Sequence, residues 1–180
     1  THVRLFCGFT PLDAMDEPRW TRMIEAFEAS EELCSSLGIQ IAIETHGAIS
    51  SLPDGSLGHA ETVTTDPEAL ARLVRELPPA VGFNLDAGNL KAARPEDGRY
   101  GLDVIGERIN YCHMKDWARD GEGWRAVAIG DDDMDWGALL EAIPFDGVHL
   151  IEYEPTEDVV AGIRRSLAHL DKVAPGWTFS

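Results

Sequence analysis

Five short apolar runs recur along the chain, at Val3–Cys7, Ile39–Ile43, Ala80–Leu85, Ile109–Cys112 and Val148–Ile151. Each is rich in β-branched or aromatic residues and too short for a helix, the pattern of strands buried in a parallel sheet. Between them the apolar positions switch to three- and four-residue steps. From Pro18 to Leu37, the residues Met23, Ile24, Phe27, Leu33 and Leu37 trace a helix, with Gly38 placed to end it. Thr65, Asp66, Pro67 and Glu68 read as a capping box opening a second helix, whose stripe is Leu70, Leu73, Val74 and Leu77. A shorter helix is expected within 100–108. Trp136, Leu139, Leu140 and Ile143 mark another, and Val159, Val160, Ile163, Leu167 and Leu170 share one face of the last. The Gly- and Ser-rich stretch His46–Val63 is expected to be a long loop, able to lie over a site as a lid.

Strand and helix thus alternate five times in 180 residues, about 36 residues per unit. Regular alternation implies parallel strands joined by right-handed crossovers, an α/β protein. No G-x-G-x-x-G turn follows any strand, which removes the usual dinucleotide-binding version of a doubly wound sheet. The expected architecture is a (β/α)8 TIM barrel. A full barrel takes roughly 250 residues, and the chain opens at Thr1 straight into a strand-like run. Residues 1–180 are therefore expected to be the C-terminal portion of a single, incomplete barrel domain. Its open strand edges would favour self-association.

Composition narrows the function. Fifteen basic against 32 acidic residues give a net charge of −17, which phosphate backbones repel, so no nucleic-acid partner is expected. No run approaches the roughly 18 apolar residues of a membrane span, and no signal segment opens the chain, so the expectation is a cytoplasmic protein without a membrane partner. Cys7, Cys34 and Cys112 are odd in number and widely spaced, which argues against a disulfide framework or zinc knuckle.

The ends of the apolar runs carry the chemistry. Four of the five lead into a residue of metal-ligand type: Glu44, Asp86, His113 and Glu152. Singly, each has an ordinary explanation as a cap, a surface carboxylate or a core histidine. Parallel barrel strands, however, bring their C-terminal ends to one rim, where active sites are built. Three carboxylates gathered there would repel and take up protons unless a cation joined them. Three oxygens and one nitrogen suit one divalent ion, Mn²⁺ first, with Mg²⁺, Co²⁺ or Zn²⁺ also compatible. His46 and Lys115 lie two residues past a ligand, hence on the same side of an extended strand, and are candidate substrate contacts. Asp116 is expected to buttress the rim, and Trp117, Trp124 and Trp136 to pack.

The segments AIETHG, FNLDAGNL, INYCHMKDWAR, IGDDDMDW and HLIEYEP resemble the sugar phosphate isomerase/epimerase superfamily, the xylose isomerase-like TIM barrels, from residue 3 to about 173. The resemblance implies that the first three βα units are absent. It implies Glu44, Asp86, His113 and Glu152 as metal ligands, with Glu44 and Glu152 also the acid/base pair. Arg119 matches a substrate-contacting arginine, and Asn89 stands where the epimerases usually carry a His beside the substrate. The implied activity is metal-dependent isomerisation or epimerisation of a sugar or related hydroxy-ketone through an enediolate. Loss of a β-hydroxyl from the same intermediate, as in a keto-inositol dehydratase, is the alternative, with a non-catalytic barrel fragment as a third reading. An abasic-site endonuclease is disfavoured by Asn89 and by the charge.

Overall fold

The structure, a computed structural model, describes residues 1–177. Numbered in chain order, the strands are β1 (His2–Leu5), β2 (Gln40–Glu44), β3 (Ala48–Ser51), β4 (Leu57–Ala60), β5 (Gly82–Asp86), β6 (Ile109–Met114), β7 (Asp116–Asp120), β8 (Gly123–Val127) and β9 (His149–Ile151). The helices are α1 (Glu17–Ser36), α2 (Pro67–Glu76), α3 (Ala87–Ala93), α4 (Leu102–Ile105), α5 (Trp136–Ala142) and α6 (Val159–Val173).

All five runs anticipated as strands form strands, and they pair in parallel in the order β1-β2-β5-β6-β9. β2 and β5 lie inside this sheet and are buried almost throughout, which is why they read as unbroken apolar runs. Their core partners include Ile41, Ile43, Phe83, Leu85, Leu70, Leu73 and Trp136.

Helix starts follow their caps. Asp16, Asp66, Asp86 and Asp135 each accept a hydrogen bond from the backbone N–H three residues on. In the second helix the cap is Asp66 and not Thr65. The Thr65 hydroxyl instead accepts from Thr62 N. Gly38 takes φ +67° and ends α1 as expected. Of the α1 stripe, Phe27 is buried, Met23 and Ile24 are half-buried against the core, and Leu33 and Leu37 are exposed. At about 100° per residue, Leu33 falls about 240° around the helix from Phe27, and half-buried Cys34 faces inward instead.

The largest departure is over 46–63. That stretch contains the hairpin β3–β4, which joins a second hairpin, β7–β8, in an antiparallel sheet of order β3-β4-β8-β7. Gly55 (φ +88°) and Gly121 (φ +57°) supply the turns. Asp54 stitches them together, its carboxylate accepting from Ser56 N, Ser56 Oγ and Glu122 N. This sheet has a small core of its own, Ala92, Trp117 and Trp124, with Leu57 and Ala126 against it. Among the described residues no helix is long and apolar enough to cross a membrane.

Candidate metal centre

Glu44 and Asp86 are the last residues of β2 and β5, His113 is the penultimate residue of β6, and Glu152 follows β9 directly. Parallel pairing aligns Asp86 with His113, and His113 with Leu150 two positions before Glu152. The sheet therefore delivers all four side chains to one place. One ligand atom from each lies within 4.8 Å of the others. A cation with bonds of about 2.2 Å places opposite ligands at most about 4.4 Å apart, so the group needs only a slight contraction. Glu44, Asp86 and His113 are buried, and Glu152 is partly open. Asp86 Oδ2, His113 Nδ1 and Glu152 Oε2 are buried atoms without a well-aligned hydrogen bond, and their close polar neighbours are one another, Glu44 and Lys115. Buried polar atoms are almost always in aligned hydrogen bonds, and three that are not, turned toward one point, mark a place shaped for a ligand. The donor set and these atoms fit a divalent cation.

The protein's own cations surround the cluster. Arg4 Nη1 donates to Glu44 Oε2 at 2.8 Å and to Glu152 Oε1 at 2.9 Å. Buried Lys115 places Nζ 2.6 Å from Glu152 Oε2, 2.7 Å from Glu154 Oε1 and 3.5 Å from Asp86 Oδ2. Burial pushes the Asp86 carboxyl up to about 7 against the pull of Lys115. Burial works to lower His113, yet bonds to Glu152 and Glu44 outweigh it and lift the imidazole to about 9. Glu152 is also opposed by burial, but His113 and Lys115 hold it well below the usual carboxylate range. Without a metal His113 thus stays protonated near neutral pH, where Asp86 is itself titrating.

The remaining expected site residues sit at different distances from this centre. Asn89, wholly buried, donates from Nδ2 to Glu44 Oε1 and to Thr45 O, both at 3.3 Å, and its Oδ1 accepts from Trp117 Nε1 at 3.2 Å. It is joined to a ligand and faces away from solvent. Lys115 is in the cluster itself. His46 turns its Nδ1 to Gly47 O and packs edge-on against Phe6 and Phe9. Arg119 is not brought to the centre: it is exposed on β7, its guanidinium 3.9 Å from the Trp124 ring centroid. Asp116 buttresses the rim as expected, Oδ2 accepting from Gly130 N and Trp136 Nε1, both at 3.1 Å. The three tryptophans are buried. Arg4 and Glu154 were not singled out in the sequence; Arg4 stands inside an apolar run, an oddity that marks it.

The sequence matches the xylose isomerase-like TIM barrel family over residues 1–173. No curated protein matches it. Solved structures of similar fold include a xylose isomerase domain protein from Planctomyces limnophilus (TM-score 0.71, 16% identity, 97% of this chain and 60% of that one). A xylose isomerase-like TIM barrel protein from Mycobacterium smegmatis in complex with magnesium gives a TM-score of 0.68 at 16% identity, over 91% of this chain and 53% of that one. The 3-keto-D-glucoside 4-epimerase of E. coli gives 0.63 at 14% identity, over 95% and 63%. The chain therefore spans little more than half to under two thirds of the length of these proteins.

Proposed function

Because the chain belongs to the xylose isomerase-like TIM barrel family, we propose that it holds one divalent cation through Glu44, Asp86, His113 and Glu152 and isomerises or epimerises a sugar or related hydroxy-ketone. The observation that carries this reading is the convergence of four ligand-type side chains, three of them with buried atoms outside any aligned hydrogen bond, on one point. Charge supports it as well. Glu44, Asp86, Glu152 and Glu154 bring four negative charges and Arg4 and Lys115 two positive ones, so a doubly charged ion beside a neutral His113 balances the site. We favour Mn²⁺, for which a mixed oxygen and nitrogen shell is suitable.

When bound, such an ion supplies Lewis acidity toward a substrate carbonyl and its neighbouring hydroxyl. The chain's own part is proton movement. One of Glu44 and Glu152 takes the proton from the carbon beside the carbonyl, and the other returns one, from the opposite face for epimerisation. Arg4 and Lys115 keep Glu152 ionised, and Asn89 fixes the free oxygen of Glu44. In this reading Lys115 and His46 line the substrate pocket, Asn89 stands behind it, and Arg119 reaches substrate only by leaving Trp124.

The test is Mn²⁺ titration followed by turnover on a panel of ketoses and keto-polyols. One ion per chain is expected, with protons released as His113 and Asp86 give theirs up. Asp86→Ala should lower bound metal, and Glu44→Gln and Glu152→Gln should each abolish turnover and solvent-deuterium uptake at the reacting carbon. Full turnover by the metal-stripped protein would refute the proposal. Water loss without isomerised product would move the reaction to the dehydratase reading.

A further inference from the structure

β1 and β9 are the first and last strands of the parallel sheet order. Four strand spacings of about 4.8 Å would separate them by roughly 19 Å in a flat sheet. Yet Arg4 of β1 and Glu152, next after β9, are joined at 2.9 Å. Arginine and glutamate side chains cannot span that flat separation, so the contact exists only because the sheet is strongly curled. Arg4 is the chord of that curl. The same Nη1 also holds Glu44 of β2 at 2.8 Å, so one nitrogen links two of the four cluster residues, from opposite sides of the concave face.

The approach direction matters. Arg4 is in register with Ala42, two residues before Glu44, so its backbone lies below the cluster, on the interior side of the rim. Its guanidinium is steadied by the Phe6 ring, 4.9 Å from the centroid. Beneath the cluster a cavity of about 450 Å³ is bounded by Arg4, Tyr111, His113 and Glu152. Glu152 follows a strand of three residues paired to β6 and is the most exposed of the four. Lys115 holds its Oε2 and Met114 O its backbone N–H, and Arg4 ties its Oε1 to the far side of the curl.

We propose that Arg4 is a positioning residue that bridges Glu44 and Glu152 across the concave face and thereby holds Glu152 within the metal cluster. As a statement about a metal centre this rests on the proposed function. The sign of the effect separates positioning from simple electrostatics. Removing a cation beside the site would by Coulomb's law alone tighten Mn²⁺ binding, whereas losing the bridge would weaken it.

The experiment compares wild type with Arg4→Gln and Arg4→Lys by two measurements. Hydrogen–deuterium exchange of the metal-free protein should show faster exchange in Arg4→Gln over 149–152, with 82–86 unchanged, and Arg4→Lys should restore much of the protection. Mn²⁺ titration should show affinity lower by about 10- to 100-fold in Arg4→Gln, the range found when partners that orient metal ligands are lost, and a smaller loss in Arg4→Lys. Unchanged exchange over 149–152, or Mn²⁺ bound as tightly as or tighter than in wild type, overturns the proposal. If wild type takes up no Mn²⁺, the metal reading falls, and with it the role of Arg4 at a metal centre; exchange then still reports whether the bridge fixes Glu152. General loss of protection in Arg4→Gln, not rescued by Arg4→Lys, would assign Arg4 to folding and likewise overturn it.

Discussion

Asp116 offers a prediction whose size can be worked out. Its carboxylate is buried beside the rim, where Oδ2 accepts from Gly130 N and Trp136 Nε1. Burial lifts it to about 6 despite those two donors, against an ordinary 3.8. A carboxyl raised in the folded state stabilises the fold fully below its unfolded value, and that contribution is lost as pH rises through the folded value. The window is therefore from about 4 to just above 6. A rise of about 2 units at 1.36 kcal/mol each amounts to about 3 kcal/mol. Asp116→Asn keeps an oxygen for these two donors and cannot ionise; it loses the acceptor of Trp117 N, a cost that does not vary with pH. Urea unfolding of both proteins should be followed from about pH 4 to about pH 8, with chelator present so that metal occupancy does not vary. The stability of the variant relative to wild type should rise across the window by about 3 kcal/mol, other titrating groups cancelling in the comparison. A difference that stays flat would refute the reasoning and show that the ionised carboxylate is repaid in full by its donors.

Asn89→Ala removes the amide tying Glu44 to Trp117 and leaves the buried Trp117 Nε1 without its acceptor, so urea unfolding should show a loss of about 1–3 kcal/mol. The losses for Asn89→Ala and Trp117→Phe should fail to add in the double variant, as expected of one network. Burial lowers His59 to about 4, with His46 and Lys115 adding to the effect. A histidine held neutral contributes stability above its unfolded value of 6.5 that is lost as pH falls toward about 4, so protection factors over 48–60, which divide out the slower intrinsic exchange at low pH, should fall in that window and not in His59→Phe. Gly88→Ala should be strongly destabilising in thermal melts, since its Cβ would lie 2.3 Å from Lys115 O, a backbone atom that cannot turn aside.

The parallel sheet and the clustering of Glu44, Asp86, His113 and Glu152 were legible because one physical fact marks both. A strand buried on both faces must be apolar until it reaches the rim, so an ionisable residue at its end stands out. The antiparallel sheet was not legible, because Ala48–Ser51 and Leu57–Ala60 are short and largely solvent-facing, and their mixed residues carry no clean alternation. Helix α3 was missed because it begins directly at Asp86, which serves at once as strand end, cap and cluster member. Arg4 is not singled out by the Val3–Cys7 pattern, since a strand pattern does not say which residue crosses the concave face. Arg119, which the resemblance implies as a substrate contact, lies on β7 against the Trp124 ring, a placement the strand pattern alone does not give.

The antiparallel sheet packs on Ala92, Trp117 and Trp124, whereas the parallel sheet and its helices share a separate and much larger core. Two packing units in one fold can drift at different speeds. Substitutions that reshape β3, β4, β7 and β8 act on a few side chains around two tryptophans, and the framework that aligns the carboxylates does not have to repack in response. The two hairpins are thus the natural place for such a scaffold to vary, with the arrangement of the four side chains left as it is. The hydrogen bond from Trp117 to Asn89 sets a boundary on that freedom, because a change there is transmitted to Glu44.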